Sequence, residues 1–264
     1  MTLEQSLLDL RELAERLRRE CPWDREQTAA TIVPHTVEEA YEVADAVEDG
    51  DPSKLVDELG DLLYQVYFLA LLLEERGEGD LEDIARGIHE KLVRRHPHVF
   101  ATAGTLRSAG EVKDRWEELK AEQEDREGIF HHLPEALPAL LYARKVQRRA
   151  AAIGFEYPDL EGAFADLRDE VRELSEAIDE AEVASPETEP HPRHHEELGD
   201  VLFAAVNVAR RLNVDPELAL RAMSRRFVAR VERAQRLASA DGLEFTELSL
   251  REQDRYFDAA KRTS

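Results

Sequence analysis

"VEEAYEVADAVEDG" (residues 37–50) and "VDELGDLLYQVYFLALLL" (residues 56–73) decide how this chain is read. On a helix, residues three or four apart are neighbours, and like charges at that spacing destabilise by about 0.2–0.5 kcal/mol per pair. Glu39 and Glu42 are so spaced in the first stretch, and Glu58 and Asp61 in the second. Leu55, Leu59, Leu62, Val66, Leu69 and Leu73 recur at helical spacing through the same region, so the acids border a buried stripe. Two helices that each accept such repulsion beside an apolar face point to a cation held between four carboxylates.

The helical period extends outward. Leu3, Leu7, Leu10, Leu13 and Leu17 form an earlier stripe, and turn signals fall at 21–24, 48–53, 76–80 and 95–100. The spacing predicts helices near 3–20, 34–48, 53–76, 80–95, 110–126, 138–151, 160–183, 194–212, 215–240 and 247–261, with a linker over 128–138. Alternating strand patterns are absent. The fold class is all-α, with short connections favouring antiparallel neighbours.

The acidic pattern occurs twice. "DEVRELSEAIDEA" and "HEELGDVLFAAVNVA" repeat the opening stretches, matching Glu39 to Glu170, Glu42 to Glu173, Glu58 to Glu197 and Asp61 to Asp200. The second copy carries a longer, proline-bearing connection, "VASPETEPHPRHH". Beyond it, "RRFVAR" (225–230) aligns with "EKLVRR" (90–95). Two related helical domains are expected, 1–127 and 128–264.

Composition bounds the function. With 264 residues, 42% hydrophobic and 35% charged, the chain supports a sizeable core under an ionised surface. A net charge of −23 argues against nucleic-acid binding, which needs a basic face. The single Cys21 fits a reducing compartment. The N-terminus lacks a secretory pattern, and the apolar run 62–73 is too short for a bilayer. A soluble cytoplasmic protein with neither nucleic-acid nor membrane partner is expected.

The donors narrow the metal. A di-iron bundle uses Glu-x-x-His, and no Glu here has a His three residues later. Zinc prefers Cys and His, and "HPRHH" (191–195) reads as an exposed loop cluster. An all-carboxylate site for Mg²⁺, or Mn²⁺ in its place, is left, and such sites commonly handle phosphates. Lys91, Arg94, Arg95, Lys120 and Lys145 in "ARKVQRR" (143–149) are candidate phosphate partners. Trp23, Trp116 and Tyr41 are candidates for stacking on a base, although aromatics more often fill cores.

"CPWDREQT", "EEAYEVADA", "DELGDLLYQV", "EKLVRRHPHVFA", "ALLYARKVQRRAAAIGFEY" and "EELGDVLFAAVN" resemble the MazG nucleoside triphosphate pyrophosphohydrolases, in order and over almost the whole chain. The resemblance implies two tandem four-helix-bundle modules completed by homodimerisation. It also implies Mg²⁺-dependent hydrolysis of an NTP or dNTP to the monophosphate and pyrophosphate. Carried over, the metal ligands are Glu39, Glu42, Glu58 and Asp61, then Glu170, Glu173, Glu197 and Asp200. Glu38 would orient or deprotonate the attacking water, and Lys91, Arg94 and Arg95 would hold phosphates. The second half departs from the pattern: Asp169 stands at the Glu38 position, Arg226 at the lysine and Ala229 at the first arginine, with Arg230 kept. Ser224 sits where the family often has Asn. Phosphate positioning there is put in doubt, and either half can carry the activity.

Other readings compete. A narrow dCTPase-like, dUTPase-like or modified-nucleotide pyrophosphatase would share every residue above. A helical module sensing nucleotide or metal without turnover would not need a complete acidic set in both halves.

Overall fold

The computed structural model describes residues 2–100, 128–130, 133–134, 136–180 and 189–262. Every regular element among them is helical. The chain forms two compact units, Met1–Glu124 and Asp125–Ser264. The boundary between them lies outside the described residues, as does the predicted helix near 110–126 with Trp116 and Lys120.

The first unit contains α1 (Leu3–Glu20), α2 (Pro22–Glu26), α3 (Ala29–Asp49), α4 (Pro52–Arg76), α5 (Leu81–Arg95) and the short α6 (Pro97–Phe100). The stretches at 21–24 and 95–100, which read as turns, overlap α2 and α6. Helix α3 starts five residues before the predicted 34. Thr28 and Thr31 form a reciprocal cap there, the Thr31 amide donating to Thr28 Oγ1 (3.3 Å) and the Thr28 amide to Thr31 Oγ1 (2.9 Å). That cap outweighs Pro34, which sits inside the helix without an N–H to donate to the preceding turn. Replacing Thr28 with Ala is expected to cost the first unit about 1 kcal/mol, read as a lower urea midpoint.

Two residues join α3 to α4. Gly50 takes the left-handed conformation (φ +71°) that ends α3, and the Asp51 carboxylate accepts the Ser53 amide (2.9 Å) to begin α4. So short a link folds the helices back along each other. Ile32, Phe68 and Leu72 form the core they share, flanked by Ala29, Tyr64 and Leu69. Arg18 anchors α1 and α2 to this core. Its guanidinium lies 5.9 Å from the centre of the Phe68 ring and donates to both Glu75 oxygens (2.8 and 2.9 Å), to the Gln27 carbonyl (3.0 Å) and to the Asp24 carbonyl.

The second unit contains α7 (Ala139–Ala152), α8 (Leu160–Glu180), α9 (Pro192–Arg211), α10 (Pro216–Ala240), a 3-10 turn (Phe245–Glu247) and α11 (Leu250–Lys261). Helices α8 and α9 pack together as α3 and α4 do. The repeat is visible in burial: Ile32 and Ala163 are both buried, as are Ala46 and Ala177, at the spacing that relates Glu39 to Glu170. Buried Gln147 on α7 donates to the Phe203 carbonyl of α9 (2.7 Å), and Arg144 pairs with Asp215 at the start of α10. Arg210 of α9 holds Glu156 (2.5 Å). Where the first unit has Phe68, the second has Asn207, which accepts from Arg210 (2.7 Å). No helix among the described residues is long and apolar enough to cross a membrane.

Candidate metal and active site

The hairpin geometry brings the acids together. Glu39 of α3 and Glu58 and Asp61 of α4 each offer a carboxylate oxygen within 4.8 Å of the others. Glu170 of α8 and Glu197 and Asp200 of α9 do the same in the second unit. In each triad the two glutamates are half-buried and the aspartate is exposed.

Burial first, then a hydrogen bond with Glu42 and the charges of Asp61, Glu42 and Glu58, push the Glu39 carboxyl above its usual range. Burial and the charges of Glu42, Asp57 and Asp61 push Glu58 up, against Lys54. Glu170 is raised by burial and by Asp200, Glu173, Asp166 and Glu197. Glu42 and Glu173, the remaining predicted ligands, therefore act on the clusters as charged neighbours, outside the three-oxygen sets.

The donors fit a hard divalent cation. Oxygen ligands about 2.0–2.1 Å from Mg²⁺ lie up to roughly 4 Å apart across the ion, so oxygens within 4.8 Å close onto one through small side-chain rotations. Three carboxylates without sulfur or imidazole suit Mg²⁺ or Mn²⁺ better than Zn²⁺.

The raised carboxyls set a pH dependence. A carboxyl with a higher pKa folded than unfolded contributes stability below the unfolded value and loses it as pH rises through the folded one. In the metal-free protein Glu39, Glu58 and Glu170 are therefore expected to take stability away as pH climbs from about 4.5. Glu39→Gln should raise the melting temperature of the EDTA-treated protein at pH 7, a gain that disappears towards pH 4. Mg²⁺ should reverse the order, since a ligand at 100 times its Kd stabilises by about 2.7 kcal/mol only where it binds.

Two cations near the clusters escaped the sequence reading. Arg193, one turn before Glu197, pairs with it (3.3 Å) and also with Glu180. Lys54, one turn before Glu58, pairs with Asp49 (2.7 Å). The i,i+4 spacing was their visible signal.

Other candidates fall around this frame. Glu38 is exposed and meets the His35 ring at Nδ1 (3.1 Å), while its counterpart Asp169 accepts from Arg172 (2.7 Å). Lys91 and Arg94 are exposed on α5, whereas Arg95 is only 8% exposed. Arg226 is exposed on α10, with Arg230 half-buried there and Lys145 half-buried on α7. Trp23 is exposed and meets His35 edge-on, 6.0 Å between ring centres, and Tyr41 is half-buried. The histidine cluster does structural work at the start of α9. His191 Nδ1 accepts the Arg193 amide (3.3 Å), and His194 Nε2 donates to the Ala177 carbonyl of α8 (3.0 Å).

Residues 27–100 and 160–235 each match the MazG nucleotide pyrophosphohydrolase domain. The chain belongs to the MazG family. Each matched stretch contains one complete acidic cluster and the basic helix positions after it. The MazG nucleoside triphosphate pyrophosphohydrolase/pyrophosphatase of Thermotoga maritima is 38% identical over 257 residues, 96% of this chain and 94% of that protein. The nucleoside triphosphate pyrophosphohydrolase of Escherichia coli is 41% identical over 245 residues, 92% of this chain and 90% of that protein. A solved mazG-related protein of Thermotoga maritima is 32% identical, covering 43% of this MazG chain and 97% of its own, with a TM-score of 0.38.

Proposed function

We propose that this MazG family chain is a divalent-metal-dependent nucleoside triphosphate pyrophosphohydrolase, converting NTPs or dNTPs to monophosphates and pyrophosphate. The observation that carries the reading is the doubled carboxylate triad, Glu39–Glu58–Asp61 and Glu170–Glu197–Asp200, each clamped between two packed helices inside a matched MazG domain. The names of the two full-length relatives support the substrate class.

In this reading Glu39, Glu58 and Asp61, with Glu42 beside them, hold Mg²⁺, and Glu170, Glu197 and Asp200 do so with Glu173. A bound divalent cation supplies charge neutralisation for the triphosphate and a more acidic water. Glu38 takes the proton of the attacking water, whose oxygen bonds to the α-phosphorus as the bridging α–β P–O bond breaks. Lys91, Arg94 and Arg95 donate to the phosphates and to the leaving pyrophosphate, so rate comes mainly from positioning and electrostatics. Arg226 and Arg230 take that role in the second module, with Lys120 and Lys145 as further phosphate contacts and Trp23 against the base. The modules span 1–127 and 128–264.

The proposal includes a cytoplasmic homodimer. Leu59 and Leu63 on α4 and Leu198 and Leu202 on α9 are exposed at matching places in the two modules, which suits helix pairing with a second copy. Sedimentation should then give twice the chain mass of 30.1 kDa.

The test is to incubate the protein with each common NTP and dNTP, in Mg²⁺ or EDTA, and resolve the products. Mg²⁺-dependent monophosphate with pyrophosphate is expected. Diphosphate with orthophosphate would place attack at another phosphorus, and no turnover would sink the reading.

A further inference from the structure

The two clusters differ one turn upstream of their first glutamate. Four residues before Glu39 stands His35, with the Trp23 ring at its edge. Four residues before Glu170 stands Asp166, and Tyr157 donates its hydroxyl to Asp166 Oδ1 (2.7 Å). Residues four apart on a helix share a face, so Asp166 lies beside Glu170 and its charge reaches it.

The Tyr157 contact is built into the backbone. A Cβ at Gly162 would lie 3.2 Å from Tyr157 Cβ and Cδ1 and 3.4 Å from Cγ, so the ring rests directly on the first turn of α8. The Asp159 carboxylate caps that turn by accepting the Gly162 amide (2.8 Å). A capped turn, a glycine without side chain and a ring laid across it aim one hydroxyl at one carboxylate. Left alone, Asp166 would rotate away from the charge of Glu170.

We propose that Tyr157 and Asp166 are positioning residues for the second module, Tyr157 holding an extra carboxylate beside the Glu170–Glu197–Asp200 cluster and so raising that cluster's affinity for a divalent cation. This rests on the clusters being cation sites. Asp166 acts through its charge on the cluster and not as a ligand, and Tyr157 acts only through Asp166.

The test uses the full chain with Asp61→Asn to silence the first cluster, titrated with Mn²⁺ and followed by the electron-spin-resonance signal of the free ion. Asp166→Asn is expected to weaken binding about five-fold, the Coulomb effect of one charge on a divalent ion about 8 Å away in a water-like dielectric. Tyr157→Phe keeps the ring on Gly162 and should give a smaller loss. The double variant should bind as Asp166→Asn does. Melting in EDTA should not track these affinities, as it would for a role in folding alone. Unchanged affinity in Asp166→Asn, or a Tyr157→Phe loss that persists in full beside it, overturns the proposal. If Asp166→Asn does not fold, unchanged affinity in Tyr157→Phe overturns it instead. Absence of Mn²⁺ binding in the Asp61→Asn parent overturns the cation reading of the cluster as well.

Discussion

Asp61→Asn combined with Asp200→Asn is expected to eliminate pyrophosphate release, while each single substitution silences only its own module. Both aspartates are the exposed corners of their triads, so Asn leaves the helix packing intact while removing one ligand charge from each cluster. Losing a group that holds charge in a preorganised site costs on the order of 10²–10³ in rate. If one module carries the activity, one single variant falls by that factor and the other stays near wild type. The assay therefore assigns turnover to the first module, the second or both. Full activity in the double variant would remove the carboxylate clusters from the mechanism. Far-ultraviolet circular dichroism should remain that of the wild type, because fewer like charges face one another.

Phe68→Ala is expected to destabilise the first unit by about 3–5 kcal/mol, the usual cost of emptying a buried phenylalanine site. Phe68 is 1% exposed and packs with Ile32 of α3 and Leu72 of its own helix, beneath the Arg18 guanidinium. Truncation leaves a cavity and removes the cation–π contact of Arg18, which also secures α1 and α2 through Glu75 and the Gln27 carbonyl. The same core holds α3 against α4, so the Glu39–Glu58–Asp61 triad should weaken as well. Urea unfolding should show an earlier transition for the first unit, with a matching loss of Mg²⁺-induced protection there. The second unit has Asn207 at this position and a polar network around Arg210, so its transition should not move.

Much of the candidate site was legible in residue order. Glu39 with Glu42, and Glu58 with Asp61, announce themselves because a three-residue spacing on a helix forces like charges together, and their repetition at 170–200 removes coincidence. The sorting within each set was not legible. Glu42 and Glu173 sit outside the three-oxygen clusters because the crossing of two helices, not their sequence spacing, decides which oxygens meet. The start of α3 was misplaced because Pro34 is a strong local signal, whereas the Thr28–Thr31 cap depends on backbone geometry at the helix end.

By itself the sequence determined that the chain is helical, doubled, and furnished with two sets of helix-borne carboxylates, since helical period, internal repeat and donor type are properties of residue order and chemistry. The tertiary structure alone decided which three carboxylates converge, that Arg193 of α9 reaches Glu180 of α8, that Arg18 lies over Phe68, and that Tyr157 crosses Gly162 to reach Asp166. Most of these contacts join residues from different elements or across a loop, and their distances follow from how the helices pack.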